Sequence, residues 1–563
     1  MKIVERPYRE TDRRALIEAG IHPLLARIYA GRRIHSASEL TYAPAQLLAP
    51  QLLKGIEQAG ALLADALQAG KRLLIVADYD ADGATACAVG MRALRAMGGD
   101  PGANVDYLVP DRFKLGYGLS PELVDLAAER KPDLLITVDN GIASVEGVAR
   151  ARSLGIGTLI TDHHLPGAEL PQADCIVNPN QAGCSFPSKA LAGVGVMFYV
   201  MLALRAELRR RSYFKAAEPS LGSLTDLVAL GTIADVVPLD ANNRNLVAQG
   251  MKRIRAGRAQ PGLAALLRAA GRNVAEASSF DLGFVAGPRL NAAGRLADMG
   301  LGIECLVTDD EARAANCARE LDRLNAERRR IESGMLEQAL EALKSLDAQA
   351  RSAFFAPGWH EGVVGILASR LKDRLQRPVI CFARAVDGHS LKGSGRSIAG
   401  LHLRDCLDLI AKRLPGLILR FGGHAQAAGL SIAEADYERF AIAFDRALEE
   451  MLPASARTRT VETDGSLEHG YCTLEVARML EAGIWGQGFP QPLFCDTFAV
   501  ESQRVVGERH LKLLLAKDGR RIEAMRFGAL DPLPSRVRAA YRLAVNEFNG
   551  LRSVQLNVEH VES

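Results

Sequence analysis

The sequence predicts two α/β domains joined by a long helix and followed by a small β-barrel. Three observations carry this reading. Short apolar runs that stop at acidic residues alternate with amphipathic helical stretches early in the chain. A charged stretch without proline crosses the middle, and short apolar runs separated by Gly and Asp turns fill the C-terminal end. At roughly 150 residues per domain, 563 residues imply several domains rather than one core.

Residues 1–50 mix Arg, Pro, Ala and Leu in short helical fragments such as 13–19, and read as an N-terminal extension packed on the next domain. The domain assigned to 51–309 opens with a helix-period pattern leading into K-R-L-L-I-V-A at 71–77, an apolar run of strand type. The pattern repeats: L-L-I-T-V at 134–138 ends at Asp139 and G-T-L-I-T at 157–161 ends at Asp162, preceded by helical stretches at 121–130 and 142–153. Strands apolar on both faces and alternating with helices indicate a parallel sheet. Such sheets bind ligands at the carboxyl ends of their strands, where these acids fall. The uncharged stretch 190–204 is shorter than the ~20 residues of a bilayer span and reads as a buried core helix. Residues 310–346 contain one glycine and carry Leu321, Leu324, Ile331 and Leu336 at helical spacing, a connecting helix whose charges form a solvated face. S-A-F-F-A at 352–356 starts the second α/β domain, 347–453, and P-A-S-A at 453–456 reads as a linker. In 457–563 the runs 498–500, 511–515 and 541–545 suggest the barrel.

Lys+Arg 69 against Asp+Glu 66 is too balanced to declare a nucleic-acid or membrane partner, so any basic surface is local. Nine scattered cysteines without a C-x-x-C pair read as reduced thiols, not a disulfide framework or zinc knuckle. With no export signal or membrane span in view, the expectation is a cytoplasmic protein.

D-Y-D-A-D-G at 78–83 places three carboxylates at alternate positions directly after a buried strand. Such crowding resists simultaneous ionisation unless a cation neutralises it. Gly83 is expected to let the backbone turn into the following alanine-rich helix. D-H-H at 162–164 adds adjacent imidazoles, and G-T-I-A-D at 231–235 adds another carboxylate. Oxygen ligands with one or two histidines suit manganese or magnesium better than zinc.

D-x-D-A-D-G, V-D-N-G, D-H-H and G-T-I-A-D-V-V-P-L, in this order, resemble the four motifs of the DHH phosphoesterase superfamily. With G-P-R-L-N-A-A-G-R at 287–295 and G-G-H-A-Q-A-A-G at 422–429, the match is to its bacterial single-strand-specific exonucleases. The resemblance spans about 50–563. It implies a DHH catalytic domain, a DHH-associated substrate-binding domain and an OB-like nucleic-acid-binding barrel. The implied activity is 5′-to-3′ hydrolysis of single-stranded DNA in repair and recombination. It also implies two divalent cations, manganese or magnesium, on Asp80, Asp82, Asp139, His163 and Asp235, with Asp139 bridging. His164 would sit beside the scissile phosphate and Asp162 would orient the histidines. Many superfamily members carry a metal-binding His four residues before the position of Asp80. Here it is Val76, so one cation site is expected to be weaker and filled mainly with substrate bound.

For the strand itself, residues 251–273 form the clearest basic run, with six Lys/Arg and no acid. In K-G-S-G-R-S at 392–397 the glycines would let backbone N–H groups approach an anion while Arg396 grips it. The resemblance makes Ser394 and Arg396 part of a pocket for the terminal 5′ phosphate. Arg112, Arg289 and Arg295 are further phosphate candidates, with Arg295 also suited to a structural ion pair. His424 is either a phosphate contact or a stabiliser of its Gly-rich turn. Trp485 and Phe489 read as packing. The expected partner is single-stranded DNA, with a single-strand-binding protein and a helicase implied by the resemblance, no membrane, and a monomeric chain. Two other functions compete: a DHH phosphodiesterase of short oligonucleotides or cyclic dinucleotides, and an inactive DNA-binding scaffold. The barrel argues against the first and the intact acids and histidines against the second.

Overall fold

The computed structural model describes residues 2–98, 103–215, 217–344, 351–385, 387–452 and 460–562. Packing divides the chain into two compact units, 3–322 with 462–563, and 323–461. The proposed linker at 453–456 and the end of the connecting segment at 345–346 lie outside the described residues.

In the first unit, five strands form one parallel sheet: β1 (Leu73–Ala77), β2 (Val105–Leu108), β3 (Leu134–Val138), β4 (Gly157–Thr161) and β5 (Cys175–Val177), in the order β2-β1-β3-β4-β5. Every residue of β1 and β3 is buried, which is why both were legible as continuous apolar runs. The two edge strands were not foreseen. V-D-Y-L and C-I-V are too short, and β2 too polar, to stand out from loop sequence. The helices Pro121–Ala128 and Val145–Ser153 cover one face, packing Leu123, Val124 and Val148 on Leu74, Val76 and Leu135. The uncharged stretch near 190 enters the helix Gly193–Arg210, whose residues from Gly193 to Met201 are all buried. Among the described residues no helix is long and apolar enough to cross a membrane.

The C-terminal strands of the same unit, β11 to β15 after the ten strands of the two sheets, are Phe494–Val506, His510–Lys517, Arg520–Phe527, Arg536–Phe548 and Leu551–Glu562. They close into a barrel in the order β11-β12-β13-β15-β14. Closure removes the exposed edges that such long strands would otherwise present.

The N-terminal residues were expected to pack on the domain next to them in sequence. They also reach much later chain. Tyr29 stacks near Trp485 and Phe489 at 5.7 and 6.1 Å, and Arg32 pairs with the buried Asp464 at 2.7 Å. Trp485 and Phe489 are packing residues, as read from the sequence. All nine cysteines are free.

The long helix is Glu311–Ala342. Its charges pair along its own surface, Arg323 with Glu327 and Arg328 with Glu332. The second unit holds the sheet β9-β10-β8-β7-β6 from β6 (Ala353–Phe355), β7 (Val379–Arg384), β8 (Ser390–Arg396), β9 (Arg420–Gly423) and β10 (Ala427–Ala433). Its core gathers Ile380, Phe382, Leu403, Phe440 and Phe444. One expectation is corrected here. K-G-S-G-R is not an anion-cradling loop but the central strand β8, paired with β7 on one side and β10 on the other. Its backbone amides therefore serve the ladders. The glycines serve packing: a Cβ at Gly393 would sit 2.5 Å from the Phe382 ring.

Candidate metal centre

The carboxyl ends of β1, β3 and β4 bring the acidic motifs together. Asp80 caps the helix Ala81–Met97, its Oδ1 accepting from the N–H groups of Asp82 and Gly83 at 2.9 and 3.0 Å. That helix has already begun when Gly83 is reached, so Gly83 makes no turn. It is needed for clearance, since a Cβ there would lie 2.5 Å from the Asp78 carbonyl oxygen. Asp82 accepts from Gly193 and Val194 N–H at 2.6 and 2.9 Å, the start of a long helix whose dipole favours a negative charge there.

Asp139 follows β3 in the left-handed region, φ 63°. Its N–H donates to Thr161 O at 3.0 Å, and its side chain faces His163, with Oδ1 3.0 Å from Nε2. The same Nε2 lies 3.5 Å from Asp235 Oδ2 and 4.0 Å from Asp82 Oδ2. Asp235 caps the carboxyl end of the helix Thr225–Ala234. Asp162 is an organiser. Its Oδ1 accepts from the N–H groups of His163 and His164 and lies 2.8 Å from His164 Nδ1, while Oδ2 accepts from Ile142 N–H at 2.9 Å.

Three sets of donor atoms lie within 4.8 Å of one another: Asp139, His163 and His164; Asp82, His163 and Asp235; and Asp78, Asp80 and Asp139. Asp139 and His163 each belong to two sets, an arrangement suited to two cations sharing a ligand. Asp78 was missed as a candidate ligand, although it is the first acid of D-Y-D-A-D-G. Tyr117 was missed as well, because a lone tyrosine in a loop carries no signal of its own. Val76 lies fully buried in β1 and offers no donor atom.

Electrostatics points the same way. Burial, then the neighbouring aspartates, pushes Asp78, Asp139 and Asp235 well above the usual carboxylate range. The same causes raise Asp82 to about 7. Asp162 is also buried, but its hydrogen bond from His164 and the histidine's charge outweigh burial and hold it low. Burial alone would lower His164, yet Asp162 raises it. Among the described residues, the buried Oδ1 atoms of Asp78 and Asp139 have no hydrogen-bond donor. Hard oxygen donors left unsatisfied around two imidazoles fit manganese or magnesium.

The other sequence candidates fall in several places. Arg112 lies over the Tyr79 ring at 4.6 Å, and Tyr79 meets Tyr117 edge-on, beside the centre. Arg289 is buried and engaged, pairing with Asp322 at 2.7 Å and donating to Val285 O. Arg295 lies in the last turn of the same helix, Gly287–Leu296. Asn291 on that helix accepts from Ala81 N–H at 2.8 Å, bracing the acidic loop. In the second unit, Arg396 donates to Ser394 Oγ at 3.1 Å and to Gly395 O at 2.8 Å. Among the described residues Arg396 has no carboxylate partner, and burial lowers its pKa. His424 stands in the hairpin beside it, where Ala427 pairs with Arg396 and His424 N–H donates to Ala427 O. The basic run 251–273 is largely structural: Arg255 donates to the carbonyls of Ala277 and Ala482, Arg253 to Arg258 O, and Arg272 pairs with Asp281.

Known proteins resemble this chain throughout. The model of the DHH family N-terminal domain matches residues 72–232, that of the DHHA1 domain 347–450, and that of the RecJ OB domain 463–560. The chain is 49% identical to the single-stranded-DNA-specific exonuclease RecJ of Escherichia coli, over 98% of each chain. It is 50% identical to that of Dickeya dadantii, over 99% of this chain and 98% of the relative. Among solved structures, Thermus thermophilus RecJ in complex with Mn2+ superposes with a TM-score of 0.81 at 32% identity, covering all of this chain and 79% of the other. The Mg2+ complex of the same protein gives 0.77 at 30% identity, with 100% and 78% coverage.

Proposed function

The chain belongs to the RecJ family of single-stranded-DNA-specific exonucleases, and from that premise we propose that it hydrolyses single-stranded DNA from the 5′ end, in DNA repair and recombination. The observation that carries the proposal is the convergence at the strand ends of three donor sets, linked to one another through Asp139 and His163. Asp78, Asp80, Asp82, Asp139, His163 and Asp235 would hold two divalent cations, manganese or magnesium, which supply an activated water and charge neutralisation for in-line displacement at phosphorus.

The protein's own groups do the rest. Asp162 fixes His164 through Nδ1, leaving Nε2 of His164 to face a scissile phosphate. Arg112, beside Tyr79, supplies a cation for the strand backbone. Arg396 and Ser394, with the His424 hairpin beside them, form the site we assign to the terminal 5′ phosphate, which accounts for end selection. Arg289, held by Asp322, contributes through the scaffold, and Arg295 is a further group for the strand's phosphates. With Val76 in place of a ligand, one cation site is weaker in the free protein and fills with substrate. The chain comprises an N-terminal extension at 1–50, a catalytic domain at 51–309, a connecting helix at 310–346, a substrate-binding domain at 347–453 and a nucleic-acid-binding barrel domain at 457–563. A single-strand-binding protein and a helicase are the expected partners of a cytoplasmic monomer.

The test is digestion of 5′-labelled and 3′-labelled single strands of several lengths with manganese, magnesium or EDTA, beside Asp139→Ala. Metal-dependent release of short label from the 5′ end, lost in the variant and on blunt duplex, is the expected result. Cleavage confined to very short oligomers would favour a small-substrate phosphodiesterase, and binding without cleavage a scaffold.

A further inference from the structure

Phe280 and Phe284 form a stacked pair on the surface of the first unit, ring centroids 4.7 Å apart and planes 20° apart. They are 46% and 71% exposed, unusual for two adjoining phenylalanines. Local structure sets the pair in place. Ser278 and Asp281 close a capping box over a short helical turn, and residues Leu282–Ala286 continue as a π-helical turn into the helix Gly287–Leu296. π-helical turns are rare and occur often at functional sites. The underside is closely packed: a Cβ at Gly283 or Gly287 would lie 3.0 Å from Ile233 or Ala234, the two residues leading into Asp235. The turn is thus pressed against the chain that delivers a metal-site carboxylate, with its aromatic face outward.

The position along the helix matters too. Phe284 precedes Asn291, which braces the acidic loop, by seven residues, or about 10 Å of helix at about 1.5 Å per residue. At about 3.4 Å per nucleotide, that is about three nucleotides along the helix from the residue that braces the acidic loop. Val236, the residue after Asp235, is itself 61% exposed and at φ 63°. Arg272, half exposed, pairs with Asp281, the residue after Phe280.

Resting on the exonuclease reading above, we propose that Phe280 and Phe284 are a base-stacking platform for the single strand a few nucleotides from the scissile phosphate. Aromatic faces hold bases of any sequence, which suits an enzyme that must pass every base. Continuity with the Asp235 turn, and the near-parallel rings, favour nucleobases over an apolar peptide as the occupant.

The experiment compares wild type, Phe284→Ala, Phe280→Ala and Phe284→Trp on a twelve-nucleotide single strand and on matched strands carrying one abasic residue at successive positions. Wild type should show a roughly ten-fold rise in KM at one or two abasic positions and at no others. Phe284→Ala should raise KM on the intact strand by a similar factor, leave kcat within two-fold, and become indifferent to those abasic positions. Phe284→Trp should retain wild-type KM, and melting temperatures should be unchanged. Wild-type indifference to every abasic position, or a Phe284→Ala defect that persists equally on abasic strands, would overturn the platform. An apolar-peptide site would leave all DNA kinetics unchanged. Wild type failing to degrade any single strand would instead defeat the exonuclease reading itself.

Discussion

The Tyr117 hydroxyl lies 2.9 Å from His164 Nδ1 and 3.1 Å from the carbonyl oxygen of Asp139, to which it donates. Nδ1 also lies 2.8 Å from Asp162 Oδ1, so its N–H is shared between the carboxylate and the tyrosine oxygen. One hydroxyl therefore ties the histidine ring to the backbone of a residue held in the left-handed region. Tyr117→Phe removes both contacts; loss of the one to His164, about 1 kcal/mol, should lower kcat about five-fold with KM little changed. Nitrogen-15 NMR of labelled histidines should show a displaced His164 Nδ1 resonance. Unchanged kcat and resonance would mean that Asp162 orients the ring unaided.

Metal removal should make stability fall with rising pH. In the folded, metal-free protein, burial and the neighbouring aspartates make Asp78, Asp139 and Asp235 hold their protons to higher pH than the unfolded chain does, and Asp82 to about 7. The unfolded chain releases them near pH 4. The folded state thus binds more protons through that window, and unfolding free energy declines as pH rises. Asp162 has the opposite sign, but its contribution is lost only below about pH 4. Thermal unfolding in EDTA should give a lower melting temperature at pH 8 than at pH 6, and manganese should restore more at pH 8. A melting temperature in EDTA that rises with pH would contradict the charge arrangement.

Gly193→Ala should damage the metal centre more than the fold. Its Cβ would fall 2.6 Å from Asp139 Oδ1, so the carboxylate must move while the helix behind it keeps its core. Manganese titration should show affinity weakened at least ten-fold, with far-UV circular dichroism unchanged. Native affinity would mean that Asp139 yields at no cost.

Arg32→Ala should destabilise the protein by about 1.5–3 kcal/mol, the worth of a hydrogen bond to a charged group, since Asp464 keeps Arg6 at 3.2 Å. The Arg32 and Asp464 side chains are 1% and 3% exposed, and Arg32 also donates to the carbonyls of Ile28 and Pro490 at 2.7 and 2.8 Å. Urea unfolding is the measurement, and a loss under 1 kcal/mol would show that water replaces the guanidinium. The fraction still folded should retain its kcat.

Arg396→Ala should separate end recognition from chemistry. A strand carrying a 5′ phosphate should lose its kinetic advantage over one with a 5′ hydroxyl, while the two are cleaved by the variant at similar rates. A preserved preference would move the phosphate site away from β8.

Much of the fold was legible because strands buried on both faces must be apolar throughout and must end where the chain meets solvent. Leu134–Val138 and Gly157–Thr161 were readable to the residue for that reason, and the acids after them marked the site. The edge strand Val105–Leu108 was not, since half-exposed residues place little demand on sequence. In the site, the acids and histidines were legible as types at fixed spacing, whereas Tyr117 and the stacked phenylalanines were not.

What the sequence determined by itself is local: which runs form buried strands, where carboxylates crowd, and which family the motifs resemble. The tertiary structure decided what depends on residues far apart in the chain. It made Gly83 clearance rather than a turn, turned Gly393 of β8 from part of an anion loop into packing against Phe382, and gave Arg289 a partner in Asp322. Spacing encodes which groups are available, but the partner each N–H, guanidinium or carboxylate finds is set by which distant segment the core brings against it.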